Sequence, residues 1–264
     1  MEPLSIVVCI KQVPDSWAEK SLRPDDLRLD RDAADAVLNE LDEYAVEEAL
    51  RIKESRDGET TVTVLSMGPE RTAETLRKAL SMGADAAVHL VDDRLAGTDA
   101  VGTSYALAQA LATLPHDLVV LGSESTDARM SVLPAMLAER LGRAQLTFAR
   151  KVSLDAGTVT IERVTPDGYA TVRADLPAVL SVVEKINEPR YPSFKGIMAA
   201  KKKPFTTLTL DDIGADPAVL GLDGAGSRVL DATPKAARTA GEIIDDDGTG
   251  GVRLAEFLSA RSFV

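Results

Sequence analysis

Apolar positions in the first 183 residues follow two alternating patterns. Short continuous runs such as Ile6-Val7-Val8-Cys9-Ile10 suit strands buried on both faces. Amphipathic stretches lie between them. In residues 39–54, Leu41, Ala45, Ala49 and Ile52 fall on one face at helical spacing. Asn39 suits the N-cap of that helix, and Asp42 stands where a capping partner belongs. Thr61-Val62-Thr63-Val64-Leu65 predicts a strand, and residues 70–82 a helix opened by Pro69 and closed by Gly83. The strand 86–90, helix 99–113, strand 118–121 and helix 131–141 continue the series. Strand and helix alternation of this kind predicts a parallel sheet with helices on both faces.

The rhythm then changes. Residues 146–153, 158–164 and 169–174 read as strands joined at Asp155-Ala156-Gly157 and Pro166-Asp167-Gly168, turns that suit antiparallel hairpins. Ala178 to Val183 is a further apolar strand. Asn187-Glu188-Pro189-Arg190-Tyr191-Pro192 continues neither helix nor central strand and reads as a loop. It leads through Phe194, Ile197 and Met198 to Lys201-Lys202-Lys203. The expected division is an α/β domain over 1–204 and an arm over 205–264, extended for much of its length with one short helix near 252–260.

Composition narrows the function. With 30 Lys+Arg against 42 Asp+Glu the net charge is −12, which argues against a broad nucleic-acid face. One Cys and two His leave little for a zinc site, and one Cys forms no internal disulfide. The longest apolar runs fall far short of the ~20 residues a membrane helix needs, so no membrane insertion is expected. No targeting segment is visible, and the expected compartment is cytoplasmic.

No nucleophile elbow or Walker-type glycine loop is present, and Cys9, His89 and His116 read as structural. The chain looks more like a binder than a catalyst. In open parallel sheets, ligands bind beyond the carboxyl ends of strands, at helix N-termini. Three such ends carry suitable groups: Cys9 to Gln12, Ser66 to Gly68, and Gly122-Ser123-Glu124-Ser125-Thr126-Asp127. Each alone is an ordinary turn; together they suggest a nucleotide crevice. Tyr191, Phe194, Ile197 and Met198, followed by cations, read either as a docking knob or as a loop packed inward.

Several segments resemble the electron transfer flavoprotein β-subunit family. They are Val8-Cys9-Ile10-Lys11-Gln12-Val13-Pro14-Asp15, then Asn39 followed by Asp42-Glu43-Tyr44-Ala45-Val46-Glu47-Glu48-Ala49, then Ala79-Leu80-Ser81-Met82-Gly83-Ala84-Asp85. Leu176-Pro177-Ala178-Val179 and the block from Asn187-Glu188-Pro189-Arg190-Tyr191-Pro192-Ser193-Phe194 through Lys203 match most specifically. The resemblance spans essentially residues 4–240.

It implies an adenine-nucleotide α-hydrolase-like, doubly wound, mostly parallel sheet with an antiparallel edge and a C-terminal arm wrapping a partner. It implies a heterodimer with an electron transfer flavoprotein α subunit that holds most of an FAD site, and a structural AMP in this chain. In bifurcating members a second FAD replaces the AMP. A stand-alone nucleotide-binding module of the stress-protein type is the alternative from another class. The electrons would come from acyl-CoA and related flavin dehydrogenases and pass to a quinone oxidoreductase. This chain would be an electron-carrier subunit, not an enzyme in its own right.

Carried over residue by residue, the AMP contacts are Cys9, Asn39, Glu40, Leu41, Asp42, Met67, Gly122, Ser123, Glu124, Ser125, Thr126, Asp127, Arg129, Met130, Ser131, Val132, Leu133 and Pro134. Trp17 and Leu41 would approach the flavin. The segment 187–203 corresponds to the recognition loop, with Arg190, Tyr191, Phe194, Ile197 and Met198 docking the dehydrogenase and Phe194 where the family usually has Leu. Two departures stand out. Val132-Leu133-Pro134 replaces positions that often carry polar groups, and Ala170 stands where some members carry Glu.

Overall fold

The computed structural model describes residues 2–233, 235–237, 241 and 243–264. Residues 234, 238–240 and 242 of the expected arm lie outside them. The chain divides into two units, Met1–Leu230 and Asp231–Val264.

The first unit follows the predicted alternation, with β1 Leu4–Cys9, β2 Gln12–Pro14, β3 Ala36–Leu38, α1 Glu40–Glu54, β4 Thr60–Met67, α2 Thr72–Met82, β5 Ala86–Leu90, α3 Ala100–Ala112, β6 Leu118–Gly122 and α4 Leu133–Leu141. There follow β7 Ala144–Asp155, β8 Thr158–Thr165, β9 Gly168–Asp175, β10 Ala178–Val182, α5 Phe194–Ala200 and β11 Phe205–Leu208. The second unit holds α6, Gly250–Ala260. There Val252, Leu254 and Phe257 project from a helix that buries no residue.

Nine strands form one sheet in the order β11-β5-β4-β1-β6-β10-β7-β8-β9. Every pairing from β11 to β7 is parallel, and β7-β8-β9 is antiparallel. The hairpin turns fall at the expected glycines, Gly157 and Gly168, both at positive φ. Parallel strands are covered on both faces, which explains their unbroken apolar runs. On one side Ala45, Leu50, Leu76 and Leu80 of α1 and α2 pack against Ile6, Val8, Val62 and Val64. On the other, Leu107, Leu111 and Leu137 of α3 and α4 pack against Val7, Val119 and Leu121.

The order places the site. From β1 the chain moves outward through β4 and β5, then returns to β6 on the opposite flank of β1. The carboxyl ends of β1 and β6 therefore bound a topological switch point, where doubly wound sheets open a crevice.

Three features depart from the sequence reading. Phe205–Leu208 pairs in parallel with β5 as the sheet edge, so the first unit runs on to Leu230 instead of breaking at 204/205. The segment 187–203 is not loop throughout: Phe194–Ala200 forms α5, capped by Ser193, whose Oγ accepts the Gly196 N–H at 3.0 Å. A Cβ on Gly196 would lie 2.4 Å from the Ser81 carbonyl oxygen, so only glycine lets α5 approach α2 this closely. Finally, β2 and β3 form a small antiparallel ladder that closes a long hairpin over residues 15–35.

Candidate functional site at the β1 and β6 strand ends

Asn39 and Asp42 stand at the mouth of α1, and neither side chain caps it. Asn39 Oδ1 accepts the Thr126 N–H at 3.0 Å and its Nδ2 donates to the Glu124 carbonyl at 3.0 Å. Asp42 accepts the Lys11 N–H at 2.8 Å and the Gly122 N–H at 3.2 Å. Two residues one helical turn apart thus tie α1 to both lips of the crevice. Both side chains are buried, so their hydrogen bonds replace water that cannot enter. Burial pushes the Asp42 carboxyl up to about 7, against the pull of the Lys11 and Gly122 N–H groups and Asn39.

Gly122 is required by close approach. A Cβ there would lie 2.6 Å from Asp42 Oδ1 and 2.8 Å from the Leu41 carbonyl carbon. Leu41 is held against this point by its position on α1, whereas Glu40 faces solvent and accepts from Ser16 Oγ at 2.6 Å. Ser123 extends the strand pairing through its N–H to the Val182 carbonyl at 2.8 Å.

Asp127 has no exposed side-chain surface, yet two cations reach it. Lys11 Nζ lies 2.9 Å from Oδ1, and Arg31 Nη2 lies 2.5 Å from Oδ2. Burial alone would raise the carboxyl; Lys11 and Arg31 more than reverse this and hold it well below the usual aspartate range. Lys11 also reaches Ser125 Oγ at 3.4 Å. The loop then turns through Arg129 and Ser131, both at positive φ, and Ser131 Oγ donates to Glu124 Oε2 at 2.9 Å. Arg129 and Met130 are exposed. Val132 and Leu133 are half-buried, Leu133 packs against the α3/α4 layer, and Pro134 is buried in the first turn of α4.

The unpaired donors at this point suit an anionic ligand. Thr126 Oγ1 is buried with no hydrogen-bond partner among the described residues, the kind of orphan a ligand satisfies. The N–H groups of Met130, Ser131 and Val132 form no hydrogen bond to another described residue and lie just ahead of α4, where an anion is favoured. Cys9 is buried at the end of β1, and burial, reinforced by Asp42, pushes its thiol up to about 12, so it lines the site as a neutral group. Met67 is half-buried at the end of β4. Trp17 is 93% exposed on the 15–35 hairpin. The sequence reading missed Arg31 and Lys20, which donates to the Thr126 carbonyl at 3.3 Å. Nothing in a lone basic residue of an Asp-rich stretch signals a partner about a hundred positions away.

The 187–203 segment splits into an anchor and a knob. Asn187 Nδ2 donates to the Tyr44 carbonyl and to Glu48 Oε2, each at 3.0 Å. Arg190, expected among the docking residues, grips α1: Nε lies 2.7 Å from Glu47 Oε2 and Nη1 2.5 Å from Glu54 Oε1. Lys203 is likewise internal, donating to the Leu80 and Ala84 carbonyls at 2.9 and 2.6 Å at the end of α2. Tyr191 and Phe194 are 96% and 81% exposed, and Ile197 and Met198 are about half exposed beside them. Among the described residues no helix is long and apolar enough to cross a membrane, and no group of His, Cys, Asp and Glu is placed to hold a metal.

Comparison with known proteins shows the family. The family model described as "Electron transfer flavoprotein domain" matches residues 26–213. The chain is 56% identical to "Electron transfer flavoprotein subunit beta" of Mycobacterium bovis, covering 98% of this chain and 99% of that protein. It is 37% identical to the protein of the same name from Thermoanaerobacterium thermosaccharolyticum, covering 99% of this chain and all of that one. It is 34% identical to "Caffeyl-CoA reductase-Etf complex subunit CarD" of Acetobacterium woodii, covering 91% and 92%.

Proposed function

The chain belongs to the electron transfer flavoprotein family as a β subunit, and on that premise we propose that it seats an AMP in the β1/β6 crevice while pairing with an α subunit that holds most of an FAD. The observation that carries this reading is the pair Asn39 and Asp42, which fixes both lips of a crevice containing the orphaned Thr126 hydroxyl. Thr126 Oγ1 and the loop N–H groups ahead of α4 would hold the nucleotide. Gly122 keeps the floor open to backbone approach. The flavin supplies the one- and two-electron redox chemistry when bound. This chain's residues bind, orient and exclude water, and no bond to substrate is made or broken on them.

The docking surface follows from the same premise. Tyr191, Phe194, Ile197 and Met198 would insert into an apolar pocket on an acyl-CoA or related flavin dehydrogenase, a solvated aromatic knob on a rigid base being a good anchor. Arg190 and Asn187 supply the base by clamping the segment to α1. The exposed apolar side chains of α6 suit burial against the α subunit. A quinone oxidoreductase would take the electrons onward, in the cytoplasmic compartment.

The test is functional. The chain is co-expressed with its α partner, and reduction of the complex by an acyl-CoA dehydrogenase is followed at the flavin absorbance bands. Rapid reduction requiring both chains is the expected result; a monomer that binds nucleotide and accepts no electrons would contradict it.

A further inference from the structure

The hairpin over residues 15–35 crosses the rim of the crevice, and the way it is held is unusual for this chain. At its base β2 and β3 are anchored by Val13 and Leu38, both buried. Beyond that ladder not one residue from 15 to 35 is buried. Its apolar side chains are at most half-buried, and Trp17 and Leu22 are exposed. What holds it is a set of polar tethers spread around the rim. Ser16 Oγ donates to Glu40 Oε1 at the start of α1. Lys20 Nζ reaches the Thr126 carbonyl at 3.3 Å, and Arg31 Nη2 reaches Asp127 Oδ2 at 2.5 Å. Arg71, beside α2, meets Asp32 Oδ1 at 2.7 Å and the Arg31 carbonyl at 3.1 Å.

A segment with few buried apolar contacts and a firmly seated base opens at low free-energy cost, as a unit, about that base. Here two of the tethers end on Thr126 and Asp127, the residues at the heart of the nucleotide loop. The orphaned Thr126 hydroxyl and the carbonyl that Lys20 holds belong to the same residue. Opening the hairpin therefore uncovers the loop at Thr126 and Asp127, while Asn39 and Lys11 keep the loop itself in place.

We propose that residues 15–35 form a strap that gates exchange of the crevice nucleotide, latched by Arg31 on Asp127 and Lys20 on Thr126. This rests on the reading of the crevice as a nucleotide site and adds its control. Asp127 is the keeper of the latch, because its buried carboxylate is already fixed by Lys11 and offers Arg31 a rigid partner. Arg31 and Lys20 act as positioning residues through the loop. The strap carries the chain's only tryptophan, so its state has a built-in reporter.

The experiment uses the complex with its α partner, loaded with isotope-labelled AMP and chased with unlabelled AMP. Arg31→Ala is expected to release label about tenfold faster than wild type, the scale for losing one charge-assisted contact. Arg31→Lys should restore part of the retention. Release from wild type should quicken as ionic strength approaches 1 M, where the screening length falls to about 3 Å. In parallel, 5-fluorotryptophan incorporated in this chain alone reports the strap directly, and the Trp17 ¹⁹F line should narrow in Arg31→Ala. Equal release rates in wild type and Arg31→Ala, with AMP retained by both, overturn the strap while leaving the site intact. A wild-type complex that holds no AMP overturns the nucleotide reading and the gate with it. An unchanged ¹⁹F line in Arg31→Ala overturns the latch whether or not nucleotide is present.

Discussion

Asn39 meets Thr126 across 87 residues of chain, its Oδ1 accepting the Thr126 N–H at 3.0 Å while its Nδ2 holds the Glu124 carbonyl. The contact joins the first turn of α1 to the loop after β6, with both groups out of water. Replacing Asn39 by Ala strands a buried donor and a buried acceptor. The expected cost is about 2 kcal/mol of unfolding free energy, read from urea midpoints, together with weaker nucleotide retention. Asn39→Asp keeps the acceptor alone and should fall between the two.

Gly122 sits where α1 crosses the end of β6. In Gly122→Ala the new methyl would lie 2.6 Å from Asp42 Oδ1 and 2.8 Å from Leu41 backbone and Cβ. Backbone cannot yield as a flexible side chain can. The variant should lose about 2 kcal/mol and bind nucleotide poorly, measured by thermal unfolding and by extraction of the bound ligand.

The Asp127 carboxylate gives a pH signature. Its value in the fold lies below the ordinary 3.8, because Lys11 and Arg31 outweigh the effect of burial. A lowered carboxylate contributes stability that is fully present above the unfolded value and is lost as pH falls through the folded one. Wild-type stability should therefore decline on acidification below about pH 3.8 more steeply than that of Asp127→Asn. At neutral pH that variant, which leaves two cations without their partner, should be about 3 kcal/mol less stable. Denaturant melts at stepped pH values check both limbs.

Phe194 and Arg190 separate the knob from its base. Phe194→Ala should slow electron transfer from dehydrogenases, with about 2 kcal/mol lost from docking and flavin content unchanged. Arg190→Ala removes the clamp on Glu47 and Glu54 and should also lower the protection of residues 187–200 against hydrogen exchange, which Phe194→Ala should not. Unaltered transfer kinetics in Phe194→Ala would remove the anchor from the docking scheme.

Much of the fold is legible in the sequence. Leu118 to Gly122 and Ala178 to Val182 announce themselves as unbroken apolar runs because helices cover both faces of a parallel strand. Gly83 and Gly142 mark helix ends because both take positive φ. The edge strand Phe205–Leu208 is not legible because its two central residues are solvent-facing threonines following a lysine run. The helix Phe194–Ala200 was hidden by Pro189 and Pro192 just upstream and by its length of seven residues. At the site, strand ends and small residues pointed to the crevice, but the side-chain roles did not follow. Asn39 and Asp42 have the spacing of a capping pair, yet the packing of α1 against β1 and β6 gives them stronger partners across the crevice. The Arg190 clamp is not legible in the sequence because its partners lie on α1, more than a hundred residues earlier.

The most direct measurement is quantitative mass spectrometry of the nucleotides released by denaturing the purified heterodimer. One AMP and one FAD per complex is the expected result, with AMP lost selectively in Gly122→Ala and Asn39→Ala. Two FAD and no AMP per complex, or a complex from which no adenine nucleotide is released, would contradict the assignment of the β1/β6 crevice as an AMP site.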